Sequence, residues 1–204
     1  MKTTMKFAAV AAVVLALMSV TISSFAQSKY DIKTAKKAAK ILQKEGWKTD
    51  GGTRAIEDLL IQYYQVERDN ELSEGRSNVQ RYNTKVAESN ARRNAAQNYI
   101  ESFSTQMKGG LSGLDGSLDN KVIDNLTTAM IGKFEGKVDG MLVRDFCLFK
   151  TEKDGSLSCI FYGHISKKKM EQAKNEVFQE AIDEVKGVKE FGTEVKTAID
   201  AISF

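Results

Sequence analysis

Three side chains belong to the residue types that do nucleophilic or metal chemistry: Cys147, Cys159 and His164. A thiolate with a neighbouring imidazole as its base is one arrangement for covalent catalysis. A metal or acid–base centre at His164 would need partners, and no histidine, cysteine or carboxylate cluster surrounds it with ligand spacing. The sequence therefore predicts no metal, no cofactor and no catalytic residue, and it favours a structural role for the imidazole.

The two cysteines are also candidates for a disulfide, because they lie in adjacent apolar runs joined by an Asp154-Gly155 turn. A two-residue turn there pairs Phe149 with Ile160 and sends the two thiols to opposite faces of the hairpin. A five-residue loop instead places Cys147 opposite Cys159. The sequence leaves both registers open, and two small buried thiols are the favoured interpretation.

Lysines supply the candidate interaction surface. The predicted first helix carries Lys33, Lys36, Lys37 and Lys40, and its apolar face is mostly alanine, which offers charge to an anionic partner but little area for insertion into lipid. Three further candidates lie outside this helix: Trp47, Lys167 and Lys168. The lysines at the start of the last helix oppose its dipole, which a surface contact would explain. A solvated helix face is the plainer alternative.

The first 26 residues have the plan of a cleaved secretory signal. Lys2 and Lys6 precede an apolar stretch over residues 7–18, and Ser24 and Ala26 are small residues at the −3 and −1 positions of a cut after Ala26. The apolar stretch is shorter than the ~20 residues of a membrane-spanning helix. No cysteine lies near the cut, so we expect a soluble periplasmic or secreted protein without a transmembrane anchor.

Charge and motifs exclude several classes of function. The chain has 30 basic and 27 acidic residues, and the signal contains two lysines and no acid, so 28 basic residues and a net charge of +1 remain after cleavage. This balance argues against nucleic acid as a partner. The sequence also contains no phosphate-binding loop, zinc-ligand spacing or serine nucleophile elbow.

The elements that must position these residues follow the order α-α-β-α-α-β-β-α. Helical spacing over residues 31–45 and 56–66 predicts a helical hairpin with Trp47 at its elbow. Residues 69–77 are polar and predict a loop, and a short strand follows over residues 78–82.

The second half of the chain contains the clearest strand signal. An alanine-rich helix begins at Thr84, and its small residues would let it lie close to a neighbouring helix or sheet. Glycines over residues 109–116 predict a break, and the next helix ends near Gly136. Two β-rich runs, 141–150 and 156–165, predict a hairpin. Ser166 then caps a helix whose apolar row extends towards the C-terminus.

Together these elements predict an α+β fold: a small three-stranded antiparallel sheet covered by helices on one face and preceded by the helical hairpin. The domain organisation is a signal over residues 1–26, the hairpin and loop over 27–76, and an α+β domain of order β-α-α-β-β-α over 77–204.

Most of the mature chain resembles a known domain. The resemblance rests on the early helix ending in Gly46-Trp47, on residues 91–100 (ARRNAAQNYI), on 143–150 (VRDFCLFK), and on 160–173 (IFYGHISKKKMEQA). These stretches resemble small bacterial envelope lipoproteins of the twenty-kilodalton antigen type and the N-terminal part of a flagellar assembly protein. The resemblance implies a helix against a three-stranded sheet, no known enzymatic activity and no catalytic residues. The chain departs from the lipoproteins by lacking their lipidated cysteine.

We therefore expect an exported, non-enzymatic envelope protein that acts by binding another envelope protein or by self-assembly. The alternative is a polysaccharide- or lipid-binding module that uses the lysines or the aromatic residues Trp47, Tyr63, Tyr64 and Tyr82. A thiol enzyme is a third hypothesis, and it requires an exposed Cys147 or Cys159 within reach of His164.

Overall fold

The computed structural model describes residues 24–80, 83–112, 119–185 and 192–201. The predicted signal up to residue 23, Tyr82, the glycine-rich stretch 113–118 and the predicted C-terminal row at 186–191 and 202–204 lie outside these residues. Within the described ranges, no helix is both long and apolar enough to cross a membrane.

The described residues form six α-helices, one 3-10 helix and four strands. The helices are α1 Ser24–Lys44, α2 Ile56–Gln65, α3 Thr84–Ser112, α4 Asn120–Met141, α5 Lys167–Glu184 and α6 Gly192–Asp200. The strands are β1 Lys48–Thr49, β2 Asn70–Val79, β3 Val143–Thr151 and β4 Leu157–Ser166, and the 3-10 helix is Val66–Arg68. The α+β class is thus confirmed.

The sheet has four antiparallel strands in the order β1-β3-β4-β2, so the prediction of a three-stranded sheet is wrong. The additional strand is β1, which pairs Lys48 with Phe149 and Thr49 with Leu148. A strand of two residues is too short to show the alternation that identifies strands in a sequence. It follows directly after Trp47, whose burial in the core brings this segment to β3.

The position of β2 also differs from the prediction. It occupies Asn70–Val79, where the sequence indicated a polar loop over 69–77 and a strand over 78–82. Its composition is poor in β-branched and aromatic residues, which is why propensity failed to identify it. Ten residues of β2 nevertheless pair in register with β4, from Asn70 with Ser166 to Val79 with Leu157.

Contact with α3 explains the small polar residues of β2. Ser73 Oγ donates a hydrogen bond of 2.9 Å to the carbonyl oxygen of Ala95. A Cβ added at Gly75 would overlap the backbone carbonyl of Ala91. The strand therefore lies directly on the helix backbone, as the alanine row of α3 would allow, and only very small side chains fit between them.

α3 also covers the outer edge of β2. Asn94 Nδ2 donates to the carbonyl oxygen of Arg76 at 2.6 Å, and Asn98 Nδ2 donates to that of Glu74 at 2.8 Å. These side chains occupy carbonyl groups of the strand's backbone. An edge satisfied in this way is a poor template for pairing with another chain.

The helices lie on both faces of the sheet, whereas the sequence predicted them on one face. We call the side covered by α3, α4, α5 and α6 the first face and the side covered by α1 and α2 the second face. On the second face the predicted hairpin packs on the sheet through Trp47, Tyr63, Phe146 and Tyr162. The hairpin is thus a layer of the same fold rather than an element that only precedes the sheet.

Glycine misled the prediction of helix ends. α4 continues through Gly136 and ends at Met141, and α3 continues through Gly109 to Ser112. A glycine inside a helix costs about 1 kcal/mol relative to alanine. Burial of Val138 offsets that cost in the last turns of α4, since its side chain is only 1% exposed.

Candidate functional site

The candidate site is the outward side of α1, which we call the basic face. Its members all have exposed side chains and are Lys33, Lys36, Lys37, Lys40 and Lys44. With 3.6 residues per turn, these positions fall within about a third of the helix circumference. The opposite side buries Ala35, Ala39 and Leu42 against the second face of the sheet. Burial of the small residues therefore fixes the lysines towards solvent.

The positive charge of the basic face is largely uncompensated within the described residues. The one ion pair there joins Lys36 Nζ to Glu57 Oε1 on α2 at 3.5 Å. Glu45, the next acid along the chain, instead accepts a hydrogen bond from Trp47 Nε1 at 3.1 Å. Like charges three or four residues apart on a helix destabilise it by about 0.2–0.5 kcal/mol per pair. The arrangement thus costs stability in the free protein, and an anionic partner would remove that cost.

The aromatic residues proposed for a polysaccharide- or lipid-binding surface are mainly internal. Trp47 is 9% exposed, and Lys150 Nζ lies 5.7 Å from the centroid of its ring. Tyr63 is 5% exposed, and its hydroxyl donates to the carbonyl oxygens of Ser73 and Gly163. Tyr64 is partly buried. These rings support the sheet and do not form an aromatic platform for a sugar.

Lys167 and Lys168 do not join the basic face. They begin α5, which belongs to the layer on the first face, whereas α1 lies on the second. Lys167 Nζ lies 3.6 Å from Glu71 Oε1, so part of its charge is balanced by β2. Lys168 is exposed to solvent.

His164 has a partner that the sequence did not reveal. Its Nδ1 lies 2.8 Å from Asp145 Oδ2, and the two side chains are about one-fifth exposed, at 19% and 22%. Asp145 is the extra residue of a β-bulge between Arg144 and Phe146. A bulge re-aims a side chain and cannot be placed from spacing alone. The available signal in the sequence was a carboxylate directly before the apolar run of residues 146–149.

The thiols do not meet this histidine. Cys147 and Cys159 belong to the core of the first face. Phe161 and Ile165, on the same strand as His164, also belong to the core of the first face. Side chains alternate along a strand, and His164 is an odd number of residues from both, so its side chain points to the second face. The sheet therefore separates the imidazole from both cysteines, and the pairing required by a thiol enzyme is not formed.

The register of the hairpin differs from both alternatives considered for the disulfide. Thr151 pairs with Leu157, which leaves a five-residue loop, but Cys147 stands opposite Phe161 and Cys159 opposite Phe149. The observed loop is centred on Asp154, whereas direct pairing of Cys147 with Cys159 would need a loop centred on Lys153. The two cysteines are consequently diagonal neighbours on the same face, both buried and both free.

An open polar groove of about 590 Å³ lies at the hairpin end of the sheet. Two of its charged side chains pair with each other, with Lys150 Nζ 2.9 Å from Glu152 Oε2, and Asp154 Oδ1 accepts a hydrogen bond from Ser156 Oγ at 2.7 Å. Across the described ranges, no three histidine, cysteine or acidic side chains form a group that could hold a metal ion.

Comparisons with known proteins add no relative to this picture. No protein-family model matches the chain, no curated protein matches it, and no solved structure matches it. The resemblance to envelope lipoproteins and the flagellar assembly domain therefore remains a prediction from the stretches quoted above. The geometry itself defines an α+β protein with helices on both faces of a four-stranded sheet and an exposed basic helix.

Proposed function

We propose that the protein is an exported, non-enzymatic protein of the cell envelope that binds an acidic partner protein through the basic face of α1. The observation that carries the proposal is the alignment of five exposed lysines with a single acidic partner among the described residues. Complementary charge steers association and gives it specificity. The secretory signal predicted over residues 1–26 supports the assignment to the envelope.

The coverage of the sheet supports a helix surface as the docking site. Helices lie on both of its faces, and α3 occupies carbonyls along the outer edge of β2. Among the described residues, three large apolar side chains are exposed, and each lies on a different element: Ile41, Val86 and Val143. A partner recognised mainly by charge fits this surface better than one recognised by a large apolar patch.

A lipid- or polysaccharide-binding module is the alternative. Among the residues whose exposure the structure describes, Ile41, 50% exposed, is the one large exposed apolar residue on α1. Burial of one such side chain contributes about 1.5–3 kcal/mol, which is a small contribution to membrane insertion. Burial of Trp47 and Tyr63 further weighs against stacking on a sugar. We therefore favour a protein partner.

The test is crosslinking in intact cells with the mature protein and a charge-reversal variant, Lys33→Glu/Lys37→Glu/Lys40→Glu. The matched control is Lys168→Glu/Lys169→Glu, which changes exposed lysines on α5. The proposal expects an acidic protein that is captured by the wild type and the control but not by the α1 variant. The purified pair should then bind with an affinity that falls as salt rises.

Other results of this experiment overturn the proposal. Binding of the purified protein to vesicles of anionic phospholipid or to an anionic polysaccharide, with no protein captured, would assign the basic face to the alternative. A strictly monomeric protein that captures nothing would remove the binding function. Detection of the protein in the cytoplasm with residues 1–26 still attached would remove the envelope assignment.

A further inference from the structure

One large apolar side chain borders the basic face of α1. Ile41 is half-exposed, and among the described residues it is more exposed than Val86 on α3 and Val143 on β3. The buried side of α1 presents other residues to the sheet, so Ile41 makes no part of the core. Single exposed apolar residues are common on protein surfaces, and the surroundings decide whether one of them has a role.

The surroundings of Ile41 are basic. Residues three and four apart are neighbours on a helix surface, which places Lys37 one turn before Ile41 and Lys44 one turn after it. Both lysines are exposed. Glu45, four residues after Ile41, accepts a hydrogen bond from Trp47 Nε1 at 3.1 Å. Ile41 therefore lies between two ammonium groups, and the carboxylate closest to it in sequence already has a partner.

This flank of α1 is the one away from α2. Lys36, whose Nζ lies 3.5 Å from Glu57 Oε1 of α2, marks the opposite flank of the basic face. Lys36 and Ile41 are five residues apart, which corresponds to about 140° around a helix of 3.6 residues per turn. The neighbouring helix on the second face consequently leaves Ile41 accessible to a partner.

An apolar centre with a charged rim is the usual arrangement of a protein-binding hot spot. The methylene stems of Lys37 and Lys44 extend the apolar surface around Ile41, while their ammonium groups stay in water. Exposed ion pairs contribute little individually and are screened by salt, so a lysine row steers a partner more than it holds it. Burial of the central side chain would supply the contact that slows dissociation.

We propose that Ile41 is the apolar anchor of the docking site on α1 and that the acidic partner receives it in an apolar pocket rimmed by carboxylates. The inference rests on the proposed function, because it specifies the chemistry of the surface that meets the basic face. Complementarity to Lys37 and Lys44 requires the rim to be acidic.

A second copy of the chain is the less suitable occupant. The groove of this protein at the hairpin end is polar and is lined by Lys150 and Lys153 as well as by acids. It offers neither an apolar centre for Ile41 nor a purely acidic rim for the lysines. We therefore assign the pocket to a different protein.

The first experiment is photocrosslinking in intact cells with the full chain. Benzoylphenylalanine replaces Ile41 in one variant and Val86, the exposed apolar residue of α3, in the matched control. We expect a partner adduct from position 41 and none from position 86. The adduct should disappear when Lys33→Glu/Lys37→Glu/Lys40→Glu is added, and its crosslinked peptide should contain apolar residues flanked by aspartate or glutamate.

The second experiment measures the purified pair. Ile41→Ala should weaken binding by about tenfold or more, mainly through faster dissociation, whereas Ile41→Leu should stay within about threefold of the wild type. Val86→Ala should have no effect. Ile41→Ala should also keep the salt dependence of binding, which the charge-reversal variant should lose. Thermal unfolding verifies that each variant is folded.

Several outcomes overturn the inference and leave the proposed function standing. These are an unchanged affinity in folded Ile41→Ala, equal adducts from positions 41 and 86, or a crosslinked surface without acidic residues, provided that the charge-reversal variant still loses the partner. Absence of any partner in both crosslinking experiments would instead remove the inference and the proposed function together.

Two further outcomes assign Ile41 to another occupant. Adducts between two copies of this chain would show self-association. Binding of the wild type to phosphatidylglycerol vesicles, with loss of that binding in Ile41→Ala and no protein adduct, would show contact with lipid. Either result contradicts a pocket on an acidic partner protein.

Discussion

The two faces of the sheet are built on opposite principles. On the first face, β2 presents serine and glycine to the alanine row of α3, and hydrogen bonds run from side chains directly to the helix backbone. On the second face, large rings pack against one another, with Phe146 and Tyr162 stacked at 4.5 Å and Tyr63 edge-on to both. The contact of β2 with α3 on the first face depends on small side chains, and the second face depends on the burial of aromatic rings, among them the phenols of Tyr63 and Tyr162.

The difference determines how each face should fail. A contact between backbones has no flexible side chain that can move aside, so an added group on the first face must displace a whole helix. Burial disfavours the ionised form of a phenol, so a buried tyrosine is stable only in its neutral form. We therefore expect the contact of β2 with α3 on the first face to be sensitive to added volume. The second face, with the buried phenols of Tyr63, Tyr64 and Tyr162, should be more sensitive to alkaline pH than the first, where Tyr99 is the phenol whose pKa burial raises.

The largest effect should come from Gly75→Val on the first face. The added Cβ would overlap the Ala91 carbonyl oxygen and the backbone nitrogen of Ala95, neither of which can move without moving α3. Overpacking costs typically 1–3 kcal/mol, and a backbone clash should place this variant at about 3 kcal/mol or more. Urea unfolding followed by circular dichroism measures it. A loss below about 1 kcal/mol would show that β2 and α3 can separate cheaply.

The same contacts show why the sequence predicted some elements and not others. The β3–β4 hairpin was predicted to within two residues, because its apolar alternation and Asp154-Gly155 turn are local signals. β2 was predicted over residues 78–82 instead of Asn70–Val79, because its small residues are required by contact with α3, where Ser73 and Ala95 are 22 residues apart. Tertiary contact overrides strand propensity in such cases.

The candidate site divides in the same way. The lysine row of α1 was predicted, since helical spacing alone places those side chains together. The partnership of His164 with Asp145 depends on a β-bulge, and the diagonal placement of the two cysteines on one face depends on a register set by the loop. Neither is a property of a single element, so spacing could not reveal it.

Alkaline pH should test the second face. Burial raises the pKa of Tyr64 to about 12, with Glu74 and then Glu67 adding to the rise, and burial also raises the pKa of Tyr63 and Tyr162. An unfolded tyrosine ionises near pH 10, whereas the folded one keeps its proton. The stabilisation is thus complete below pH 10 and is lost as pH rises above it, by about 1.4 kcal/mol per pH unit and tyrosine.

Tyr162→Phe removes one of these phenols and should lose less stability than the wild type between pH 9 and pH 11, by about 1.4 kcal/mol. Urea unfolding at both pH values measures the difference. On the first face, Tyr99→Phe should reduce the loss of stability at alkaline pH in the same way, because burial also raises the pKa of Tyr99. An identical pH dependence in wild type and Tyr162→Phe would mean that this phenol is solvated in the folded state.

A smaller effect of opposite sign is expected at the glycines of α4. A Cβ added at Gly132 or Gly136 meets no atom within 4 Å, in contrast to Gly75. Each substitution by alanine should stabilise the protein by about 1 kcal/mol, since alanine loses less backbone entropy in a helix. Thermal unfolding of Gly132→Ala and Gly136→Ala measures the gain. A loss of stability in either variant would show that this side of α4 is packed in the folded protein.

The smallest effect concerns the basic face, where stability and binding should change in opposite directions. Lys37 is four residues from Lys33 and three from Lys40, so Lys37→Glu replaces two repulsive pairs by attractive ones. At the lower end of about 0.2 kcal/mol per pair, the two repulsions lost and the two attractions gained add up to about 0.8 kcal/mol, and this gain should shrink in high salt. Chemical unfolding at low and high salt measures it, with Lys37→Gln separating the loss of repulsion from the new attraction. A surface kept only for solubility would lose nothing by this exchange, whereas a docking surface would lose its partner while the free protein became more stable. A variant that is more stable and still captures the acidic partner would therefore show that the lysines of α1 are not needed for binding.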